Sequence, residues 1–91
     1  MIRSFAHKGL RRFYETGDRS KLTANMTNRI SVLLAALDEA EAIEDLNRPS
    51  FRLHPLKGDL NFWSITVRAN WRIVFRFQDG DVWDVDLTDY H

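Results

Sequence analysis

The hydrophobic period of this chain changes once, and that change limits the folds open to it. Met26, Ile30, Leu33, Leu34 and Leu37 recur at spacings of three and four, which makes one apolar stripe along a helix. From Phe51 onward the period is two. Trp63, Ile65 and Val67 alternate with Ser64, Thr66 and Arg68, and Trp71, Ile73, Phe75 and Phe77 alternate with Arg72, Val74 and Arg76. A helical first half followed by half-buried strands predicts an α+β fold. Two N-terminal helices pack on one face of a small, mainly antiparallel sheet, in two layers.

Local signals place the elements. Ile2–Phe5 reads as a short first strand and Lys8–Glu15 as a short helix ended near Gly17. Thr23 is the expected N-cap of the long second helix, which the acidic cluster and Asn47–Arg48–Pro49 close. Phe51–His54 reads as a short strand and Pro55–Gly58 as a turn-rich loop. Phe62–Val67, Trp71–Phe77 and Val82–Leu87 form the longer strands, the last two joined at Asp79–Gly80. No linker or repeat divides the chain, so residues 1–91 form a single domain.

The hairpin loops decide which side chains share a face. A plain two-residue loop at Ala69–Asn70 would pair Arg68 with Trp71 and mix polar with apolar residues on each face. An odd-length loop with Asn70 at positive φ keeps the large apolar residues together. It collects Ser64, Thr66, Arg68, Arg72 and Arg76 on the other face. The same argument favours a Gln78–Asp79–Gly80 loop, with Trp83, Val85 and Leu87 on the apolar side.

Composition narrows the function classes. The chain has 91 residues, 44% of them hydrophobic, with three Trp and six Phe, which is enough for one core and argues against disorder. Cysteine is absent, excluding disulfides and thiolate metal sites. No apolar run suggests a signal peptide or a membrane span, so a reducing cytoplasm is expected. A net charge of zero conceals segregation. Residues 1–37 carry seven basic and two acidic side chains, and residues 38–45 hold Asp38, Glu39, Glu41, Glu44 and Asp45. Arg48, Arg52, Lys57, Arg68, Arg72 and Arg76 then face Asp59 alone before an aspartate-rich end. Such blocks create local basic patches without a basic pI.

The candidate chemistry lies in the second half. His54 and Lys57 bracket the loop punctuated by Pro55 and Gly58, Arg68 and Arg72 flank the next loop, and the sequence closes Asp89–Tyr90–His91. Taken singly, His54 is an ordinary strand-end histidine, the arginines a solvated face and Tyr90–His91 a frayed end. On spacing and composition alone they indicate no more than a basic-faced small domain suited to binding RNA, although such a set would also suit RNA cleavage through the 2′-hydroxyl. Guanidiniums hold the phosphate while His, Asp or Tyr transfer protons. His7, His54 and His91 lack metal-ligand spacing, and Ser64 lacks a nucleophile-elbow context, so neither a metal site nor a serine triad is expected.

The stretch Arg52-Leu-His-Pro-Leu-Lys-Gly-Asp59, the run Trp63-Ser-Ile-Thr-Val-Arg-Ala-Asn-Trp-Arg-Ile73 and the closing Asp-Tyr-His91 resemble toxins of the HigB branch of the RelE-like family, the Proteus type in particular. The opening Met-Ile-Arg-Ser-Phe and His7–Lys8–Gly9–Leu10 also fit, so the similarity spans nearly the whole chain. It departs in a shorter segment at Asp59–Leu60–Asn61–Phe62. The resemblance implies a ribosome-dependent endoribonuclease that cuts mRNA in the A site by acid–base chemistry, without metal or cofactor. It implies His54, Lys57, Arg72, Asp89, Tyr90 and His91 as catalytic residues, with Arg68, Arg76 and Lys57 contacting RNA. The implied partners are the ribosome, mRNA and a HigA-type helix-turn-helix antitoxin, through which alone operator DNA is reached; no membrane is involved. Two alternatives use the same residues differently. One is a ParE-like inhibitor that binds DNA gyrase without catalysis, and the other a noncatalytic RNA- or protein-binding domain.

Overall fold

The computed structural model describes residues 1–58 and 61–90. Helix α1, Lys8–Thr16, is defined by its ends. The His7 Nδ1 accepts a bond from the Leu10 amide at 3.0 Å, satisfying one of the orphan donors of the first turn. Gly17 closes the helix at φ 79, where a side chain would be strained. Helix α2 runs Thr27–Glu39. The turn Ala24–Met26 before it is a 3₁₀ helix, and Thr23 stands at that element's N-cap rather than at the head of α2. The Thr27 hydroxyl bonds back to the Ala24 carbonyl at 3.1 Å, holding the tighter turn. All five residues of the apolar stripe are buried, and burying each such side chain contributes roughly 1.5–3 kcal/mol.

Four strands follow: β1, His54–Pro55; β2, Phe62–Arg68; β3, Trp71–Gln78; and β4, Asp81–Asp89. They pair antiparallel in sequence order. The expected N-terminal strand is reduced to two parallel bridges to β4, Ile2↔Val82 and Phe5↔Val85. Between them the ladder is broken at Asp84, whose amide bonds the Ser4 hydroxyl at 2.8 Å. The expected strand at Phe51–His54 also contracts. Pro49 starts a 3₁₀ turn that carries Phe51 into the core, and Arg52 at φ 51 redirects the chain before pairing begins at His54.

Both hairpins keep the apolar faces together, by a device other than the one expected. The loops have two residues, and the correction lies within the strands. Arg68 pairs with Trp71 across Ala69–Asn70, with Ala69 rather than Asn70 at positive φ. A bulge between Thr66 and Arg68 then restores Thr66↔Arg72, Ile65↔Ile73 and Trp63↔Phe75. In the second hairpin Asp79 and Gly80 both have positive φ, as a tight turn matching strand twist requires. β4 carries the extra residue, at Asp84 with φ 56. Val82 and Val85 therefore both face the core, whereas Trp83, expected on the apolar side, pairs with Arg76 on the open face.

The core lies between α2 and the sheet, with Phe51, Ile65, Ile73, Phe75, Val82 and Val85 supplied by the strand half. Helix-side packing leaves the other face of the sheet uncovered, bearing Thr66, Arg72, Val74, Arg76 and Thr88.

Candidate active site

At one end of that open face, the segment leading into β1 curls over the sheet and encloses a groove of about 610 Å³. His54 sits on β1 opposite Ser64, which is buried in the groove floor. Pro55 can occupy β1 because this is the edge strand, where a missing N–H leaves no ladder bond unmade. The Leu56 amide bonds the Phe62 carbonyl at 2.9 Å, and this closes the base of the loop that carries Lys57. Arg72 stands on β3 between Thr66 and Thr88 of its two neighbours.

The fourth wall comes from the C-terminal end of β4. Asp89 pairs with Trp71, and the Tyr90 amide bonds the Asn70 carbonyl at 2.8 Å. Two backbone links to the β2–β3 turn thus hold Tyr90 at the groove, where a terminal residue with no such links would fray.

The groove gathers His54, Lys57, Arg72 and Tyr90. Asp89, one residue out of step with Thr88 and Tyr90, is exposed and does not line it. His91 lies outside the described residues. Arg68 and Arg76 are not part of the groove. Because the bulge puts Arg68 in register with Trp71, Arg68 lines a separate hollow with Thr23, Asn25 and Met26, and the face it was expected to share with Arg72 is not formed. Arg76 is held at the far end of the sheet by Asp84.

Arg52, Ser64 and Thr66 line the groove and were missed by the sequence reading. Thr66 and Ser64 had been placed on the right face but without a role. Arg52 was hidden because its segment read as a plain strand. The signals for it are its place in the basic block and at the head of the stretch Arg52–Asp59, two residues before His54.

The electrostatics favour an anion. Among the described residues the groove's lining includes the cations Arg52, Lys57 and Arg72 and no carboxylate. The Arg72 Nη1 donates to the Ala69 carbonyl at 2.7 Å and the Trp71 carbonyl at 3.2 Å, contacts that fix the side chain without neutralising it. Among the described residues its Nε and Nη2 have no partner, leaving donors for a bound oxyanion. The His54 Nδ1 is 2.7 Å from the Pro55 carbonyl oxygen. A carbonyl can only accept, so Nδ1 carries the proton, and a neutral His54 presents the lone pair of Nε2. A second basic hollow beside α1 differs in that Arg11 and Arg12 there are paired to Glu15 and Asp18.

The sequence profile of HigB-like toxins, described as RelE-like toxin of type II toxin-antitoxin system HigB, matches residues 3–91. The chain belongs to that family. It is 51% identical to Endoribonuclease HigB of Proteus vulgaris over 92 residues, covering all of both chains. Among solved structures, the YoeB dimer from Staphylococcus aureus superposes with a TM-score of 0.58. That match covers 99% of this chain and 97% of the other, at 17% identity, and extends to the fold alone. As a type II toxin the chain has an antitoxin partner. Among the described residues no helix is long and apolar enough to cross a membrane.

Proposed function

We propose that this chain is an endoribonuclease that cuts mRNA on the ribosome, in the A site. The supporting observation is the groove, without a carboxylate among its described residues, which has His54, Tyr90, Lys57 and Arg72 around one cavity able to take a phosphodiester. A base removes the proton from a ribose 2′-hydroxyl, the oxygen attacks phosphorus, and an acid protonates the departing 5′-oxygen. Arg72 and Lys57 stabilise the charge that builds on the phosphorane. His54, through Nε2, and Tyr90 are the proton-transferring groups that line the groove, while Asp89, which does not line it, and His91 are further candidates that the family resemblance implies; such catalysis contributes typically 10²–10⁴-fold each. The chemistry needs no metal or cofactor. A cytoplasmic site of action follows from the ribosomal substrate, and a HigA-type helix-turn-helix protein is the proposed antitoxin, carrying the complex to operator DNA.

A gyrase-binding ParE-like role is less favoured. A pure binder gains nothing from a histidine and a phenol converging with unpaired guanidiniums on a cavity.

The test is to mix purified protein with programmed ribosomes and map the mRNA ends. The expected products end in a 2′,3′-cyclic or 3′-phosphate and begin with a 5′-hydroxyl. Cleavage should survive EDTA once the ribosomes' own magnesium is restored by controls. A 5′-phosphate on the downstream fragment would overturn the mechanism, and uncut mRNA the function.

A further inference from the structure

We propose that Arg52 is a phosphate-binding residue of the groove, gripping the RNA backbone from the side opposite Arg72. The inference rests on the function proposed above and adds a residue to it. Three observations carry it.

The first is position. β1 and β2 pair as His54↔Ser64 and Pro55↔Trp63, and Arg52 lies two residues before the first of these pairs, where the chain turns into the edge strand. Thr66 is the residue that Arg72 faces from the other side of β2. Arg52 thus belongs to the β1 side of the groove and Arg72 to β3, across β2 from it. Both line the groove.

The second is availability. Arg52 is exposed, and among the described residues it has neither an ion pair nor a hydrogen-bond partner. The two arginines that stack on the adjacent Phe51 are differently occupied. Arg48 lies over the Phe51 ring at 5.0 Å from its centroid, and Arg29 lies over the same ring at 5.3 Å.

The third is conformation. Arg52 has φ 51 and ψ 52, a left-handed geometry that a residue with a β-carbon avoids and that glycine or asparagine fills more easily. The surroundings impose it from both sides. Phe51 before it is sunk in the core, and the Arg29 Nη2 ties the Ser50 carbonyl at 2.6 Å to the Thr66 carbonyl at 3.2 Å. After it, β1 is already paired. An arginine held in a strained backbone, lining a cationic groove and with no ion pair among the described residues, is built to meet an anion.

This arrangement gives a test in which stability and activity move apart. Arg52→Gly relieves the backbone and removes the guanidinium, Arg52→Gln removes only the charge, and Arg52→Lys keeps it. Each variant and the wild type are compared by thermal melting and by single-turnover cleavage of mRNA on programmed ribosomes. We expect Gln and Gly to slow cleavage roughly 10–100-fold, the loss typical of one charge-assisted contact. Lys should stay within about tenfold of wild type. The Gly variant should melt at the wild-type temperature or up to about 5 °C higher. Gly and Gln variants that cut within about twofold of an active wild type would overturn the role of Arg52 alone. So would a Gly variant whose melting temperature falls in step with its cleavage. A wild-type protein that leaves ribosome-bound mRNA whole would instead sink the function on which the role rests.

Discussion

Arg72 and Arg76 stand on one strand and one face of the sheet, yet they meet opposite surroundings. Arg72 is held by two backbone carbonyls that orient it without neutralising it. Arg76 is consumed. Its Nε meets the Asp84 carboxylate at 3.2 Å, its Nη1 donates to the Gln78 side chain, and its guanidinium lies 5.3 Å from the centroid of the Trp83 ring. The difference originates in β4, where the bulge turns Trp83 and Asp84 towards Arg76 and leaves Thr88 beside Arg72. An arginine's role on a solvent face is therefore set by what the adjacent strand presents, and alternation along its own strand does not reveal it.

The sharpest way to break this contrast is to remove Arg72. Arg72→Ala should lower the rate of mRNA cleavage by about 10²–10³-fold, as loss of a preorganised oxyanion donor does. Its melting temperature should fall by no more than a few degrees, because Arg72 is a half-buried residue of the open face and no part of the hydrophobic core. A loss of stability as large as the loss of rate would make Arg72 structural and erase the distinction from Arg76.

Arg76→Ala should give the reverse profile. The ion pair and the stacking on Trp83 together contribute about 1–2 kcal/mol, so melting should drop by roughly 4–8 °C for each 1 kcal/mol. Ribosomal cleavage should stay within about threefold of wild type. A cleavage defect of tenfold or more in a folded variant would show that RNA reaches the far end of the sheet.

Much of this architecture was legible in the sequence. The 3.6-residue stripe and the period-two runs specify helix and sheet, and the need to bury Trp63, Ile65, Ile73 and Phe75 together demands that register be corrected at both hairpins. Which device makes the correction was not legible. A three-residue loop and a two-residue loop followed by a bulge bury the same residues, and only the second sends Arg68 away from Arg72 and turns Trp83 outward. The strained turn at Arg52 was equally hidden, since it is imposed by Phe51 and Arg29 from elsewhere in the fold rather than by local propensity. For the site, His54, Lys57, Arg72 and Tyr90 were within reach of the sequence, in a wider set with Arg68, Asp89 and His91 that rested on the family resemblance as well as on strand order. Arg52 was not, because a period-two reading gives an arginine before a strand no reason to point anywhere in particular.

The smallest expected effect separates charge from shape at the Arg76 end. Asp84→Asn keeps one side-chain oxygen to accept from Arg76 in the place of Oδ2 and puts an NH2 group where Oδ1 accepts from the Ser4 hydroxyl at 3.3 Å, a hydroxyl that can turn to accept instead. Asparagine also tolerates the left-handed φ of 56, so the bulge itself should persist. What is lost is the Coulombic part of a surface pair whose side chains are 28% and 48% exposed. Such pairs contribute about 0.2–1 kcal/mol and are screened by salt. Asp84→Asn should therefore lower the melting temperature by a few degrees at low ionic strength and by almost nothing in 1 M salt, where the Debye length falls to about 3 Å. Cleavage should be unchanged. A penalty that persists undiminished in high salt would mean that the Asp84 carboxylate holds the bulge by hydrogen bonding rather than by charge. The environment of Arg76 would then follow from the shape of β4 more than from its ion pair.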